Sequence, residues 1–282
     1  MILVTGATGT VGREVASRLA SAGVRLRLFA RSPERLPLPA AGVEAVAGDL
    51  SDPRRLAAAM AGVRSVFAVT TDPLRPDQDA NLVEAAVAAG VRHVVKLSAL
   101  AVTDPAADDL ITRWQRLNEE RLRASGLEWT LLRPRAFMSN ALRWSGRIRA
   151  QGVVRGPGPD VRNACVDPRD IAQVGVCALT RPGHGGKAYA LTGPQALSPV
   201  EQVAEVSAVL GREIRFEEVS AGQAREELLR RYPEALADAL MQSAVRAADG
   251  AKAEVGSGVA EVLGRPARSF RQWAEDHRHE FA

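Results

Sequence analysis

Two rhythms alternate along the first half of the chain. Short β-branched or apolar runs (ILVT at 2–5, RLRLFA at 25–30, VEAVAG at 43–48, SVFAVT at 65–70, HVVKLSAL at 93–100) are separated by longer alanine- and leucine-rich stretches. Those stretches, VASRLASAG, RRLAAAMAG and NLVEAAVAAG, carry helical spacing, so the order reads βαβα. Strands joined by helical crossovers run parallel and are covered on both faces. Glycines 23, 62, 90 and 126 stand where a helix stops, and Ser51 before Asp52 and Pro53 is expected to cap the next one. WTLLRP at 129–134 reads as a further strand.

Beyond about Arg135 the alternation loosens. GVVRGPGPDVRNA at 152–164 is rich in glycine and proline and reads as a long connection. VDPRDIAQVGVCAL then resumes as a helix opened by Asp167 and Pro168, KAYALTG as a strand, and SPVEQVAEVSAVLG as a helix capped by Ser198. Past Val219 the chain is mostly helical. The expected partition is a nucleotide-binding domain over 1–150 and a smaller α+β lobe over 151–282, with segments returning to the first sheet.

Composition narrows the class without choosing a reaction. The 282 residues, 46% apolar and 25% charged, are enough for a full core. The charge of +4 is spread along the chain among acids, which does not point to nucleic acid. Cys165 and Cys177 lack metal-ligand neighbours and are expected to be free thiols; no metal site is expected. The four histidines, 93, 184, 277 and 279, make no ligand or triad pattern. Neither a basic leader nor a long apolar stretch is apparent, so the expectation is a cytoplasmic protein without a membrane partner, compatible with a homodimer.

The strongest chemical signal is Thr5-Gly6-Ala7-Thr8-Gly9-Thr10-Val11-Gly12, which follows a strand, opens a helix and spaces its glycines as GxxGxxG. Gly6 allows a tight turn, Gly9 lets backbone approach a pyrophosphate, and Gly12 permits close helix–strand packing, while helix N–H groups face the phosphates. This is a Rossmann fingerprint, and the fold class expected is a doubly wound parallel sheet with a small C-terminal α+β lobe. At the end of the second strand, where an acid would hold the ribose 2′-hydroxyl of NAD, stand Arg31 and Ser32. A guanidinium there suits a 2′-phosphate, so the expected cofactor is NADP(H). Asp49, followed by Leu50, is a candidate for the adenine amino group and equally a residue of the helix approach.

TGATGTVG, Arg31-Ser32, GDL, KLSAL, ERLRASGLEWTLLRPRAFMSN, VDPRDIA and YALTGPQALSPVEQVAEV together resemble the NmrA-like family of atypical short-chain dehydrogenases over about residues 1–220. The resemblance implies that the strand ends at Val69-Thr70, Leu97-Ser98 and Arg133-Pro134 face the cofactor. It also implies that Phe137, Met138 and Asn140 line the nicotinamide and substrate pocket, to which Trp114 and Trp144 could add apolar walls. The family includes quinone reductases, isoflavone-reductase relatives and NADP-binding regulators, so the reaction stays open.

The usual tyrosine four residues before a lysine is absent, since neither Tyr189 nor Tyr232 is so followed. Alignment on Glu119, Glu120 and Ser125-Gly126-Leu127 puts Gln115 where isoflavone-reductase relatives carry a lysine, and an amide cannot supply a proton the same way. Lys96 shares a strand face with Ser98 by the period of two. Ser98 is the candidate hydroxyl for an acceptor carbonyl, and Asp167 and Asp170 read as helix-capping acids. These features favour an NADPH-dependent reductase of a small activated acceptor: a quinone, enone or aromatic carbonyl. The alternatives are a cofactor-sensing regulator with a protein partner and a redox-neutral biosynthetic enzyme using bound NADP.

Overall fold

The computed structural model describes every residue except 33, 35 and 37–41. In chain order the elements are β1 (Ile2–Thr5), α1 (Thr10–Ser21), β2 (Leu26–Ala30), β3 (Val43–Ala47), α2 (Pro53–Met60), β4 (Ser65–Ala68), α3 (Asp77–Ala88), β5 (His93–Leu97), α4 (Leu110–Ala124) and β6 (Glu128–Pro134). There follow α5 (Ser145–Gln151), β7 (Val153–Gly156), α6 (Pro168–Thr180), β8 (Lys187–Leu191), α7 (Pro199–Leu210), β9 (Arg215–Glu218), α8 (Ala221–Leu229) and α9 (Glu234–Ala248). The chain ends with α10 (Gly258–Leu263), α11 (Phe270–Asp276) and α12 (Arg278–Phe281).

A seven-stranded sheet has the order β3-β2-β1-β4-β5-β6-β8, and β1 to β6 pair in parallel. The order reverses direction between β1 and β4, the kind of switch point at which doubly wound sheets take a ligand. Continuous apolar strands are what burial on both faces demands. Leu56, Met60, Val83, Ala86 and Leu122 from α2, α3 and α4 pack with Leu3, Val66, Val94 and Leu131 of the strands. A second approach is set by Gly175 in α6, where a Cβ would lie 2.8 Å from the Phe67 ring and 3.4 Å from Leu132. Only the missing side chain lets that helix sit so near the sheet.

The chain divides into two interleaved compact units. One comprises residues 1–99, 114–134 and 168–190, and the other 100–113, 135–167 and 191–282. The second unit has its own core of Ile148, Val154, Val206, Trp273 and Phe281. Its two-stranded parallel sheet pairs Val153 with Arg215 and Gly156 with Glu218. The stretch expected to be a plain connection therefore contains β7: its Gly-Pro signal applies only after Gly156, and the partner that makes Val153–Gly156 a strand lies 62 residues away.

Capping is also one residue off expectation at α2. Asp52, not Ser51, is the N-cap, its carboxylate accepting from the N–H groups of Arg54 (3.0 Å) and Arg55 (3.1 Å). Ser198 caps α7 as expected, in a reciprocal box with Glu201. Both cysteines are free. No described helix is long and apolar enough to cross a membrane, and the described residues contain no His/Cys/Asp/Glu group suited to a metal ion.

Candidate functional site

The turn after β1 is built so that backbone, not side chain, faces outward. Gly6 has φ +62°, and its carbonyl accepts from Gly9 N–H at 2.9 Å. A Cβ on Gly12 would lie 2.3 Å from that same carbonyl oxygen, so α1 can press against the turn only with glycine there. A Cβ on Gly9 would meet only the Gly6 oxygen at 3.3 Å, and Gly9 is exposed. Gly9 is the N-cap of α1 and offers no side-chain acceptor, which leaves the first N–H groups of the helix for an external anion. This cradle fits the pyrophosphate of a dinucleotide. Thr10 is exposed, Thr8 half-buried and Val11 buried.

Thr5 has a structural task at the end of β1. It is fully buried, and its hydroxyl accepts from Val69 N–H at 2.7 Å and donates to Val69 O at 2.9 Å. That pair ties the end of β1 to the residue after β4, fixing the Val69-Thr70 strand end. Gly6 belongs to the same junction, since a Cβ on it would lie 2.8 Å from the Val69 Cβ.

Arg31 is exposed just past β2, with Ser32 half-buried beside it. Asp49 accepts from Ser51 N–H at 2.8 Å. That bond above all holds its carboxyl below the usual range, with the charges of Arg31 and Arg75 adding to it. Asp49 is thus engaged by its own loop and lies within the field of Arg31. Asn81 and Gln78 of α3 bind Leu50 O (3.0 Å) and Ser51 Oγ (3.1 Å), bracing this loop. Gly48 was missed by sequence reasoning: a Cβ there would sit 2.5 Å from the Phe29 ring, a contact that only the β2–β3 register reveals.

Two buried acids, neither proposed as a site residue from the sequence, organise the polar groups near the ends of β4, β5 and β6. Asp79 of α3 accepts from Lys96 Nζ at 2.7 Å, Thr70 Oγ1 at 2.8 Å and Trp114 Nε1 at 3.1 Å. Lys96 also donates to Thr70 Oγ1 at 3.2 Å, and all four residues are buried. Lys96 is therefore neither a solvent-reaching lysine nor an unpaired acid, and Trp114 is pinned by its indole N–H. Glu119 of α4 accepts from Ser98 Oγ at 2.6 Å and takes a bidentate pair from Arg133 at 2.9 and 2.5 Å, with Arg123 at 3.2 Å. Ser98, expected to serve an acceptor carbonyl, gives its proton to Glu119 in this structure. The only signal for these acids was their place on helices that follow strands of the sheet.

Two buried polar atoms of α4, Gln115 Oε1 and Asn118 Nδ2, have no hydrogen-bond partner. Gln115 is 6% exposed. Leu97 is half-buried and Pro134 buried at their strand ends.

In the second unit, Phe137 is half-buried and bridges to Val166, while Asn140 is exposed. Met138 is 2% exposed within the unit's core beside Ile148 and Val154. Trp144 is half-buried. Asp167 and Asp170 are fully buried at the start of α6.

Comparison with known proteins settles the family. A profile described as NAD(P)H-binding matches residues 6–182. The chain belongs to the NAD(P)H-binding family. Within it, the members of the NmrA-like, atypical short-chain dehydrogenase group are its relatives. A (4-alkanoyl-5-oxo-2,5-dihydrofuran-3-yl)methyl phosphate reductase of Streptomyces griseus is 55% identical over 100% of this chain and 99% of its own. An NAD(P)H azoreductase of Xenophilus azovorans is 41% identical over 100% and 99%. The crystal structure of an NADPH-dependent quinone oxidoreductase from Escherichia coli covers 100% of both chains with a TM-score of 0.84 at 26% identity.

Proposed function

We propose that the chain is an NADPH-dependent reductase of a conjugated carbonyl acceptor, with an unsaturated lactone bearing an alkanoyl group and a methyl phosphate as its best-fitting substrate. One observation carries the choice of an activated acceptor. The proton-bearing side chains near the end of β5, Lys96 and Ser98, are already committed to Asp79 and Glu119. Reduction of an ordinary ketone benefits strongly from a positioned acid, whereas an alkene between a ketone and a lactone carbonyl spreads the developing charge and accepts its proton from water. The 55% identity to a reductase of such a lactone phosphate supports the same acceptor class.

NADPH, when bound, supplies the hydride. The chain's residues hold and orient the reactants. In this reading the Gly6–Gly12 turn and the first N–H groups of α1 bind the pyrophosphate, Arg31 and Ser32 take the 2′-phosphate, and Thr8, Thr10, Val11, Asp49 and Leu50 complete the adenosine side. Val69, Thr70, Leu97 and Pro134 wall the nicotinamide end. In the second unit Phe137 and Asn140 are the acceptor-contact candidates.

The test is anaerobic NADPH oxidation against quinones, acylated unsaturated lactones and simple aromatic ketones, with NADH beside it. Turnover is expected with the lactones and quinones, to be slower with simple ketones, and to favour NADPH. Tight NADPH binding without oxidation by any acceptor overturns the reductase reading in favour of a cofactor sensor. Product formation without net NADPH consumption replaces it with a redox-neutral enzyme.

A further inference from the structure

The second unit contains a cavity of about 420 Å³, to which Trp144 contributes. That volume lies within the ordinary range for small-molecule sites. Its walls include Trp144, Phe216 of β9, Leu228 of α8, and Leu240 and Met241 of α9. Around the same space stand four guanidinium groups, Arg143, Arg147, Arg155 and Arg231, against one lining carboxylate, Glu227.

The arginines are not equivalent. Arg155 is paired with Glu217 at 2.6 Å across the β7–β9 ladder, and Arg143 donates to the Asn140 carbonyl at 3.1 Å. The side chains of Arg147 on α5 and of the exposed Arg231 after α8 line the cavity without a hydrogen-bond or ion-pair partner among the described residues. A half-buried arginine such as Arg147, lining a partly apolar cavity with its donors unspent, is an arrangement completed by an anion. The guanidinium fork matches a phosphate in shape and charge, and the apolar walls match a chain attached to it.

We infer that this cavity binds a phosphate monoester carrying a medium-length alkyl or acyl chain, with Arg147 and Arg231 on the phosphate and Trp144, Phe216, Leu240 and Met241 around the chain. That such a ligand is the enzyme's own substrate rests on the reductase reading, where an alkanoyl chain and a phosphate belong to one acceptor. Binding by the cavity stands apart from it.

Octyl phosphate, octanol and inorganic phosphate are therefore titrated calorimetrically into the full chain, with and without saturating NADP⁺. No acceptor is present, so the result is independent of turnover. Octyl phosphate is expected to bind at least ~10-fold tighter than either half alone, the worth of about one charge-assisted hydrogen bond, and to bind equally in the presence of NADP⁺. Arg147→Gln and Arg231→Gln should each weaken it by about tenfold, with the lysine variants recovering part of the loss. Met241→Trp should remove binding by filling the space. Glu227→Gln should tighten binding about twofold or more by deleting a like charge, an outcome that no unfolding can imitate. Octyl phosphate bound no better than inorganic phosphate, displaced by NADP⁺, or unaffected by both arginine changes overturns the inference.

Discussion

Ser98 donates its hydroxyl to Glu119 at 2.6 Å, and the same carboxylate closes a bidentate pair with Arg133. The end of β5 is thereby locked to α4 and to β6 by one buried acid that is 2% exposed. Removing the acid leaves the Arg133 guanidinium largely buried with no counter-charge, whereas removing the hydroxyl forfeits a single hydrogen bond. Glu119→Ala should therefore cost about 3–5 kcal/mol of stability and Ser98→Ala about 1 kcal/mol, as read by urea unfolding. Ser98→Ala should also keep kcat with a quinone within about threefold of wild type; a loss near a hundredfold would return Ser98 to the chemistry.

Arg31 is the sole charged side chain of the Arg31-Ser32 pair expected to meet the 2′-phosphate. Arg31→Glu should raise the Kd for NADPH by about a hundredfold or more and that for NADH by less than about threefold, because it removes a fork donor and adds a like charge. Fluorescence titration of both cofactors decides; equal losses would remove Arg31 from phosphate recognition.

Gly9 and Gly12 should fail differently. A Cβ on Gly12 would collide with the Gly6 carbonyl at 2.3 Å, so Gly12→Ala should lower thermal stability as well as cofactor affinity. Gly9 has open space beyond the 3.3 Å contact, so Gly9→Val should abolish binding of both cofactors while leaving Tm within a few degrees. Calorimetric melts beside binding curves separate the two outcomes.

Lys252, in the second unit, donates to Ser243 Oγ at 2.7 Å, yet burial, with the nearby charges of Arg246 and Arg135, pushes its ammonium down to about 8 from its ordinary 10.5. The unfolded chain then binds more protons than the folded one between those values. Stability contributed by this group is present above pH 10.5 and lost as pH falls through 8. Lys252→Met should accordingly stabilise the fold at pH 7 by about 1–2 kcal/mol after discounting for partial exposure, and the advantage should vanish toward pH 10.5. The Cys165 thiol, pushed by burial up to about 11, works oppositely above its ordinary 9 but is common to both proteins. A pH series of urea midpoints checks the sign; an advantage that grows with pH would contradict it.

What could be read from the chain was what neighbouring residues decide among themselves. The strand, turn and helix around Gly6–Gly12 lie within twenty residues, and Arg31 follows directly from where β2 ends. Asp79 and Glu119 were illegible because their meaning comes from Lys96 and Ser98, 17 and 21 residues away, brought together by crossover helices. The strand at Val153–Gly156 was hidden for the same reason, its partner being β9. Met138 shows how little a resemblance says about packing: in this fold it lies in the same core cluster as Ile148 and Val154.

The chain passes between its two compact units five times, at 99/100, 113/114, 134/135, 167/168 and 190/191. During synthesis, therefore, the ribosome never delivers either unit whole before starting the other. A nascent chain of 150 residues already holds β1 to β6, yet it lacks α6, whose Gly175 sits against Phe67 and Leu132, and β8, which flanks β6. The nucleotide-binding sheet must wait with one face and one edge unfinished until residue 191 has emerged. Any shortened version cut at the middle of the gene inherits that same exposed edge.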